Sequence, residues 1–438
     1  MPLVRPFRAL RFRSDTVGDL SLVLSPPYDV ISPAEQRRLL ARHPRNVVRL
    51  DLPDAEAGEE PDERYRRAAQ TLATWRSDGT FLKDPKPSIY VYEQTYVVPG
   101  TGDERTQRGF FGRLRLEPPG EGSVLPHERT LDGPKEDRYR LLRATGVNTS
   151  PVVGLYADRT GAAARLLEGV AATQPDIDVR DDDGVRHRLW TVPDDADEVG
   201  PASTLAGLAG AGPITIADGH HRYETALRYR DERRMARSCE EDPPFDYLLM
   251  LFLDAASEPL TVLPTHRLVR GVDDADVLEA AATLFEVAPA SREALVEAFG
   301  RASGPGGRGH IGLWTRSGGA LLTARREALE PWLPPGGVAL RGLDVTLLGV
   351  ALERLFGIDP QAIGAGDRVS YTKSAAEAIG VVDRGMDDPT AADAAFLLEP
   401  TPVASIVAVA ADGDVMPQKS TYFYPKPLTG LLINPHEW

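Results

Sequence analysis

The segment PITIADGHHRYETALRYRDERR, residues 213–234, constrains the fold most, because its periodicity changes within a single turn. Apolar residues run up to Ala217 as they do in a short strand. The residues after the turn share one face at helical spacing, namely Tyr223, Ala226, Leu227 and Arg230. Gly219 lies between the two patterns and suits a tight turn. The segment therefore predicts a strand, a turn and a helix, the unit of an α/β fold.

Further patterns support a mixed α/β (α+β) chain. Alternating apolar residues predict a hairpin of SIYVYEQTYVV and GFFGRLRLE, with PGTGDERTQ as its mobile loop. A helix that Gly146 ends is predicted for KEDRYRLLRATG. A strand buried on both faces is predicted for DYLLMLFLD. After about Gly271 we expect helices in ADVLEAAATLF, SREALVEAFGRA and DVTLLGVALERLFG, a strand in HIGLWTR and a flexible turn in SGPGGRGH.

The 438 residues exceed what one compact core usually holds, so two domains are expected. We expect a catalytic core in residues 1–270, with an inserted segment near 153–210. Residues 271–438 are expected to form a second α/β domain. Its C-terminal segment, residues 415–431, is rich in Pro, Lys and Tyr and is expected to fold back on the site.

Charge and composition exclude several classes of partner. The net charge of -15 repels nucleic acid and anionic membranes, so neither is expected as a partner. The single cysteine, Cys239, excludes an internal disulfide and a Cys-based zinc cluster and suits a reducing cytosol. The first residues lack a signal-peptide core, and no apolar run reaches the length of a membrane span. We therefore expect a soluble cytoplasmic protein.

The turn at 218–222 is the strongest candidate site. The first N–H groups of the helix after Gly219 lack internal partners and favour an anion. Arg222 offers a guanidinium for bidentate phosphate contact, and His220 and His221 add donors that can carry charge near neutral pH. Asp218, at the carboxyl end of the strand, could hold Mg²⁺ or orient a histidine. The alternative is a helix cap by Asp218 with surface histidines.

Two other segments carry candidate residues. Glu128 follows Pro126 and His127 in an extended stretch, and a carboxylate there is a natural base for a hydroxyl substrate. The same stretch offers cations for anion binding, namely Arg129, Lys135 and Arg138, unless it is a solvated charged loop. Near the C-terminus, a charge and two hydroxyls suit a phosphate, although no P-loop glycines precede them; these residues are Lys419, Ser420 and Thr421. The alternative is a structured tail with a solvated lysine.

Two weaker clusters remain. LPTHRLV places His266 and Arg267 at the end of a strand, as ligand groups or as a paired surface histidine. SPPYDVIS places Tyr28 and Asp29 either at a pocket or in a structural turn. The residues expected to bind the substrate are His127, Arg129, Arg138, His266 and Arg267.

Five segments resemble, in order, the motifs of a long bacterial and archaeal family first catalogued as a domain of unknown function, number one thousand and fifteen. These are SPPYDVIS, LPHERT, ADGHHRYETAL, LPTHR and MPQKSTYFYPK. DGHHR, with its Pro-His-Glu and Lys-Ser-Thr companions, also resembles the free serine kinases of the ParB/sulfiredoxin-like superfamily. That resemblance implies a ParB/sulfiredoxin-like core and phosphoryl transfer to the hydroxyl of free L-serine, giving O-phosphoserine. The implied donor is pyrophosphate, ADP or ATP, and the implied cofactor is Mg²⁺.

The resemblance also implies roles for single residues. Glu128 corresponds to the catalytic glutamate, residues 218–222 to the phosphate loop, and residues 419–421 to a Lys-Thr-Thr motif of the kinases. The implied mechanism has Glu128 as base, Lys419 as the charge on the transferring group, and Mg²⁺ held partly by Asp218. The gap between Glu128 and Asp218 is longer than in the kinases, and Tyr422-Phe423 replaces their Arg-His, so the donor stays open.

Other functions in the superfamily fit the residues less well. Sulfiredoxins carry a reactive cysteine where this chain has His220, so thiol chemistry is not expected. ParB-type DNA binding conflicts with the acidic balance. The alternative from another class is a non-catalytic regulatory protein that binds a nucleotide or phosphate. Retention of Glu128 together with Asp218 favours catalysis.

Overall fold

The computed structural model describes residues 1–55, 58–60, 62–118, 122–130, 132–195, 199–236, 241–301, 309–385 and 388–436. Cys239 and most of SGPGGRGH lie outside these ranges. The strands are β1 Val4–Arg5, β2 Leu10–Phe12, β3 Phe81–Lys83, β4 Ser88–Val97, β5 Glu104–Arg115, β6 Val124–Leu125, β7 Val147–Asn148, β8 Val152–Tyr156, β9 Ile177–Arg180, β10 Arg186–Pro193, β11 Ile214–Asp218, β12 Tyr247–Asp254, β13 Thr261–Val262, β14 His266–Val269, β15 Phe285–Ala290, β16 His310–Thr315, β17 Gly318–Ala324, β18 Val369–Thr372, β19 Ala394–Leu397, β20 Phe423–Tyr424 and β21 Asn434–Pro435.

The α-helices are α1 Ser14–Val17, α2 Pro33–Arg42, α3 Val48–Asp51, α4 Glu63–Ser77, α5 Asp132–Thr145, α6 Ala162–Ala171, α7 Pro201–Ala209, α8 His220–Ala236, α9 Asp274–Ala281, α10 Arg292–Phe299, α11 Arg326–Leu329, α12 Val338–Arg341, α13 Asp344–Phe356, α14 Pro360–Ala365, α15 Ala375–Asp383 and α16 Val403–Ala411. Short 3-10 turns occupy Leu20–Leu22, Tyr28–Val30, Pro244–Asp246 and Glu330–Trp332. Within the described ranges, every helix is too short or too polar to cross a membrane.

The larger sheet is mixed, with both parallel and antiparallel neighbours. Within the described residues it has nine strands in the order β6-β11-β8-β12-β5-β4-β10-β9, and β1 also pairs with β5. The β6–β11 and β8–β12 pairs are parallel, whereas β11–β8 and β12–β5 are antiparallel. Every residue of β12 is buried, which confirms that DYLLMLFLD is an interior strand. The α/β class is therefore confirmed.

The smaller sheet is antiparallel throughout, and the part of the chain described here gives it six strands in the order β15-β17-β16-β19-β14-β18. It includes β14, which precedes Gly271. Segment 153–210 supplies β9, β10 and most of β8 to the larger sheet. One hydrophobic cluster contains side chains of both sheets, among them Phe111, Leu251, Leu313 and Phe396.

The local predictions hold in most places and fail at element ends. The hairpin is confirmed, but β5 begins at Glu104, so part of the loop predicted to be mobile is strand. Thr145 ends α5, and Gly146 follows it with φ 64°, which confirms the helix stop. The predicted helix ADVLEAAATLF is wrong at its end, because Phe285 is buried in β15 and pairs with β17.

Three chain segments meet beside β11. The parallel β6–β11 pair, with Ile214 opposite Val124, carries the segment after β6 toward the turn at Gly219. The C-terminal segment pairs with it, since Met416 donates its N–H to the carbonyl of His127 at 2.7 Å. Glu128 and Met416 form a parallel bridge there. These contacts bring together residues that are far apart in sequence.

Candidate active site

Gly219 joins β11 to α8 in the way the sequence predicts. Its φ of 92° lies in the left-handed region that favours glycine. A Cβ at this position would also lie 3.1 Å from the guanidinium of Arg222, which folds back over the turn. The N–H of Tyr223 donates to the carbonyl of Gly219 at 3.0 Å. Glycine is therefore required both for the backbone and for the space that Arg222 occupies.

Asp218 is held between two cations. Arg222 Nη2 donates to Oδ2 at 2.6 Å, and the ammonium of Lys426 contacts Oδ1. Burial alone would raise the pKa of Asp218, but the charges of Lys426 and Arg222 outweigh it and hold the pKa well below its usual value. Arg222 also donates to the carbonyl of Pro151. Arg222 thus has two internal partners, and these ion pairs favour a positioning role for Asp218.

The expectation that Asp218 holds Mg²⁺ fits this geometry poorly. A carboxylate that binds Mg²⁺ needs a free oxygen directed at the ion, and both oxygens of Asp218 face a cation. Among the described residues, no group of three or more His, Cys, Asp or Glu side chains could hold a metal. The ion pairs of Asp218 therefore leave it poorly placed to hold a metal ion.

His127 and His220 form a buried neutral pair. Burial lowers the pKa of His127 to about 4 and that of His220 well below its usual value, so the charge expected on His220 near neutral pH is absent. The ring of His127 donates from Nδ1 to the carbonyl of Ile216. Its Nε2 therefore accepts from the hydroxyl of Thr421, at 3.2 Å. His220 Nε2 accepts the backbone N–H of His127 at 3.2 Å. The two histidines connect the segment after β6, the start of α8 and the C-terminal segment.

Glu128 is the carboxylate of the site whose pKa is raised, in contrast to that of Asp218. Burial raises the pKa of Glu128 to about 7, although the charge of Lys419 and a hydrogen bond from the Lys419 N–H oppose the shift. The charges of Asp218 and Lys426 also reach it. A carboxyl group with a pKa near neutrality suits general acid–base catalysis. The structure thus brings together Glu128, Asp218 and Lys419.

Lys419 adopts a backbone conformation unusual for its residue type. Its φ is 55°, and within the described residues the other positive φ values all belong to glycines. The backbone N–H of Lys419 donates to the carboxylate of Glu128. The backbone carbonyl of Lys419 accepts from Arg267 Nη2 at 3.2 Å. Such strain persists where surrounding contacts hold it, often at functional sites. The charge of Lys419 also adds to burial in lowering the pKa of His221, which places His221 nearby.

The two hydroxyls after Lys419 are engaged in building the loop. Ser420 is buried, and its Oγ donates to the carbonyl of Pro417. The Ser420 carbonyl accepts from Thr401 Oγ1 at 2.9 Å. Thr421 bonds to His127. In this structure both hydroxyls therefore have protein partners.

The residues expected to bind the substrate divide into different environments. Arg267 is 5 % exposed and close enough to Glu128 to feel its charge, and burial lowers its pKa to about 10. Burial lowers the pKa of His266 to about 3, and its Nδ1 accepts the N–H of Leu398 at 3.2 Å, as expected of a neutral core histidine. Arg129 is exposed.

Arg138 serves the packing under the N-terminal loop. Its guanidinium carbon lies 4.0 Å from the ring centroid of Tyr28, and its Nε donates to Asp137 at 2.8 Å. A further donor reaches the carbonyl of Asp51. Lys135 forms an ion pair with Glu224 at 3.2 Å. These partners give both cations internal structural roles.

Sequence reasoning missed three residues that lie together at the site. The ring of Tyr422 has the ammonium of Lys373 3.8 Å from its centroid and that of Lys426 at 4.5 Å. The Lys-rich tail was a signal for Lys426. Lys373 follows β18 in a stretch without a distinctive pattern, and only the fold brings it here.

Comparison with solved structures gives distant likenesses. A conserved hypothetical protein from Pyrococcus furiosus is 14% identical with a TM-score of 0.34, over 70% of this chain and 88% of that chain. A free serine kinase in complex with AMP is 12% identical with a TM-score of 0.36, over 69% and 83%. SbnI with a C-terminal truncation, from Staphylococcus aureus, is 10% identical with a TM-score of 0.35, over 71% and 83%. At such TM-scores the likeness carries no functional argument.

The family comparison is decisive where the others are not. No curated protein matches the chain. A family model matches residues 4–346, which is more than half of the chain and includes the segments around Glu128 and Asp218. The chain belongs to the family described as "Protein of unknown function (DUF1015)".

Proposed function

We propose that this protein is a phosphotransferase that moves a phosphoryl group from a donor to the hydroxyl of free L-serine, giving O-phosphoserine. The observation that carries the proposal is Glu128, a carboxyl group with a pKa of about 7 that lies beside the cations Lys419 and Lys426. A base next to lysines suits attack by a hydroxyl on a phosphate. The choice of serine depends on the motif resemblance.

The proposed step needs no covalent intermediate on the protein. The Glu128 carboxylate takes the proton of the serine hydroxyl. At the same time the serine oxygen forms a bond to the terminal phosphorus of the donor. The bond between that phosphorus and the bridging oxygen breaks, and its electron pair leaves with the remaining phosphate. Lys419 offsets the charge on the transferring group. Asp218 and Arg222 shape the turn that presents the start of α8 to the donor.

The donor is pyrophosphate, ADP or ATP, and Mg²⁺, where it is needed, enters with the donor phosphates. This arrangement agrees with the engagement of both Asp218 oxygens by cations. It also agrees with the way Mg²⁺ commonly binds substrate phosphates and few protein carboxylates.

The test is direct. Purified full-length protein is incubated with L-serine, Mg²⁺ and each of the three donors, and phosphoserine is followed by ³¹P NMR and mass spectrometry. We expect phosphoserine with at least one donor. Tight donor binding without phosphoserine would instead support the alternative of a non-catalytic phosphate-binding regulatory protein. Absence of both binding and product would refute the proposal.

A further inference from the structure

The ring of Tyr422 lies beside two ammonium groups that come from different parts of the chain. Lys426 belongs to the C-terminal segment, two residues after β20. Lys373 follows β18 and belongs to the smaller sheet. Their Nζ atoms lie 4.5 Å and 3.8 Å from the ring centroid. A tyrosine face attracts a cation, so Tyr422 holds both lysines at one place.

The lysines at this place are not all neutralised. Lys426 pairs with Asp218. Among the described residues, no carboxylate forms an ion pair with Lys373 or Lys419. Lys373 keeps an exposed surface, but partial burial of its side chain lowers its pKa, and the charges of Lys426 and Lys419 lower it further. Three ammonium groups thus repel one another.

Two carboxylates face Lys373 without pairing with it. The charges of Asp29, in the Tyr28–Val30 turn, and Asp183, at the tip between β9 and β10, act on Lys373 in the opposite direction to the lysines. Their influence is smaller than that of burial and of the neighbouring lysines. A bound anion with several charges would relieve the remaining repulsion.

We propose that Lys373 is a phosphate-binding residue of the donor site, supplied by the smaller sheet, so that the phosphate chain of the donor contacts both sheets. The inference rests on the proposed function and adds a residue that no motif resemblance assigns. The charges of Lys419 and Lys426 act on Glu128, and the same two charges act on Lys373. The two lysines of the C-terminal segment thus connect the base to Lys373. Lys419 meets the transferring phosphoryl group, and Lys373 meets the leaving phosphate.

A purely structural role would have different consequences. If Lys373 only covers Tyr422, a side chain that keeps the apolar stem should serve equally well. Lys373→Met keeps the stem and removes the charge. Lys373→Gln is a second neutral variant, and Lys373→Arg keeps the charge. Lys86→Met is the matched control, because Lys86 is exposed and pairs with Asp195.

Titration calorimetry on the full-length variants, each checked by thermal unfolding, tests the inference with inorganic pyrophosphate and with orthophosphate. We expect Lys373→Met to weaken pyrophosphate binding about tenfold or more, as loss of a charge-assisted contact does. Orthophosphate lacks the second phosphate that this inference assigns to Lys373, so its binding should weaken less. Lys373→Arg keeps the charge and should lose less affinity than either neutral variant. Lys86→Met should match the wild type.

The outcomes separate this inference from the proposed function. A neutral Lys373 variant with the wild-type melting temperature and wild-type pyrophosphate affinity would overturn the role of Lys373, whether or not phosphoserine forms. An equal loss for both phosphates would also overturn the assignment to the leaving phosphate. If the wild type binds no donor and makes no phosphoserine, the proposed function fails and this inference fails with it. The test needs only one of the two neutral variants, Lys373→Met or Lys373→Gln, to fold.

Discussion

Glu128 has the pKa of a general base because burial outweighs the cations beside it. Burial favours the neutral acid, while Lys419 and its N–H favour the carboxylate, and the pKa settles at about 7. The pKa of Asp218 is instead held low by its ion pairs with Lys426 and Arg222. The two carboxyl groups therefore have separate uses, one for moving a proton and one for holding cations.

The first prediction is a pH profile. Only the carboxylate form of Glu128 accepts a proton, and that form becomes populated as the pH rises through about 7. We expect kcat/KM for serine to rise about tenfold per pH unit below that value and to level off above it. Initial rates of phosphoserine formation across about pH 5.5 to 8.5 would show this rise and the plateau that follows it. A flat profile would remove Glu128 as the base.

The second prediction is substitution of the base. Glu128→Gln keeps the size of the side chain and cannot accept a proton. We expect kcat to fall by roughly 10²–10⁴-fold, towards the lower end because phosphoryl transfer has a loose transition state, with donor affinity nearly unchanged. Steady-state kinetics at saturating serine would measure the loss. A loss confined to serine affinity would indicate that Glu128 only orients the substrate.

The chain provides a matched control for this substitution. Burial also raises the pKa of Glu258 to about 7, but its carboxylate accepts the N–H of Arg108 at 2.7 Å, near the end of β12. Glu258→Gln should keep the wild-type turnover. A similar fall in both variants would mean that loss of a buried carboxylate, and not loss of the base, reduces the activity.

The element that most determines the site is the β11–α8 turn, and its prediction concerns Gly219→Ala. The positive φ alone costs about 1–2 kcal/mol in a residue with a Cβ. The added Cβ also lies 3.1 Å from the guanidinium of Arg222, which must shift. We expect a loss of stability of more than about 2 kcal/mol, together with weaker donor binding. Urea unfolding and calorimetry would measure the two effects.

Gly102→Ala separates the two causes. Gly102 has a φ of 78°, and a Cβ added there would have no heavy atom within 4 Å, so this variant shares the backbone cost without the contact. Equal losses of stability in the two variants would show that displacement of Arg222 contributes nothing.

Some elements of the site can be predicted from the sequence and others cannot. The strand, turn and helix around Gly219 are predictable because both periodicities and the glycine lie within one short segment. The spacing of Asp218 and Arg222 is a signal for their ion pair, although the pattern alone suggests a phosphate contact equally well. The neutral state of His220 is not predictable locally, because burial by distant segments determines it.

Contacts between distant elements explain the rest. Glu128 reaches Asp218 through the parallel β6–β11 pair, and it reaches Lys419 through its bridge with Met416. A local pattern contains neither partner. The motif resemblance identifies Glu128 and Lys419, whereas the periodicity of the sequence does not. Lys373 has no such signal, since its place depends on how the smaller sheet packs beside the C-terminal segment.

At the scale of the whole molecule, each sheet has a buried cluster of its own on one side, and the two sheets share a third and larger cluster between them. One hydrophobic cluster includes Phe111 and Leu251 of the larger sheet and Leu313 and Phe396 of the smaller one. Residues near the C-terminus, such as Ile433, belong to the same cluster. The pairing also crosses the expected boundary near residue 271. β14, before it, lies in the smaller sheet, and β20, after it, pairs with β13 in a separate two-stranded sheet.

This shared core predicts a single unfolding transition. If either half unfolded first, it would expose the apolar surface that it shares with the other half, and the remaining half would lose stability at once. We expect one calorimetric peak, with the calorimetric enthalpy close to the van't Hoff enthalpy. Far-ultraviolet circular dichroism and tryptophan fluorescence should show the same midpoint. Two resolved peaks, or midpoints that differ between the probes, would instead support the division near residue 271 into independently folded domains. Pyrophosphate, if its phosphates contact both sheets, should raise the whole transition by mass action without splitting it.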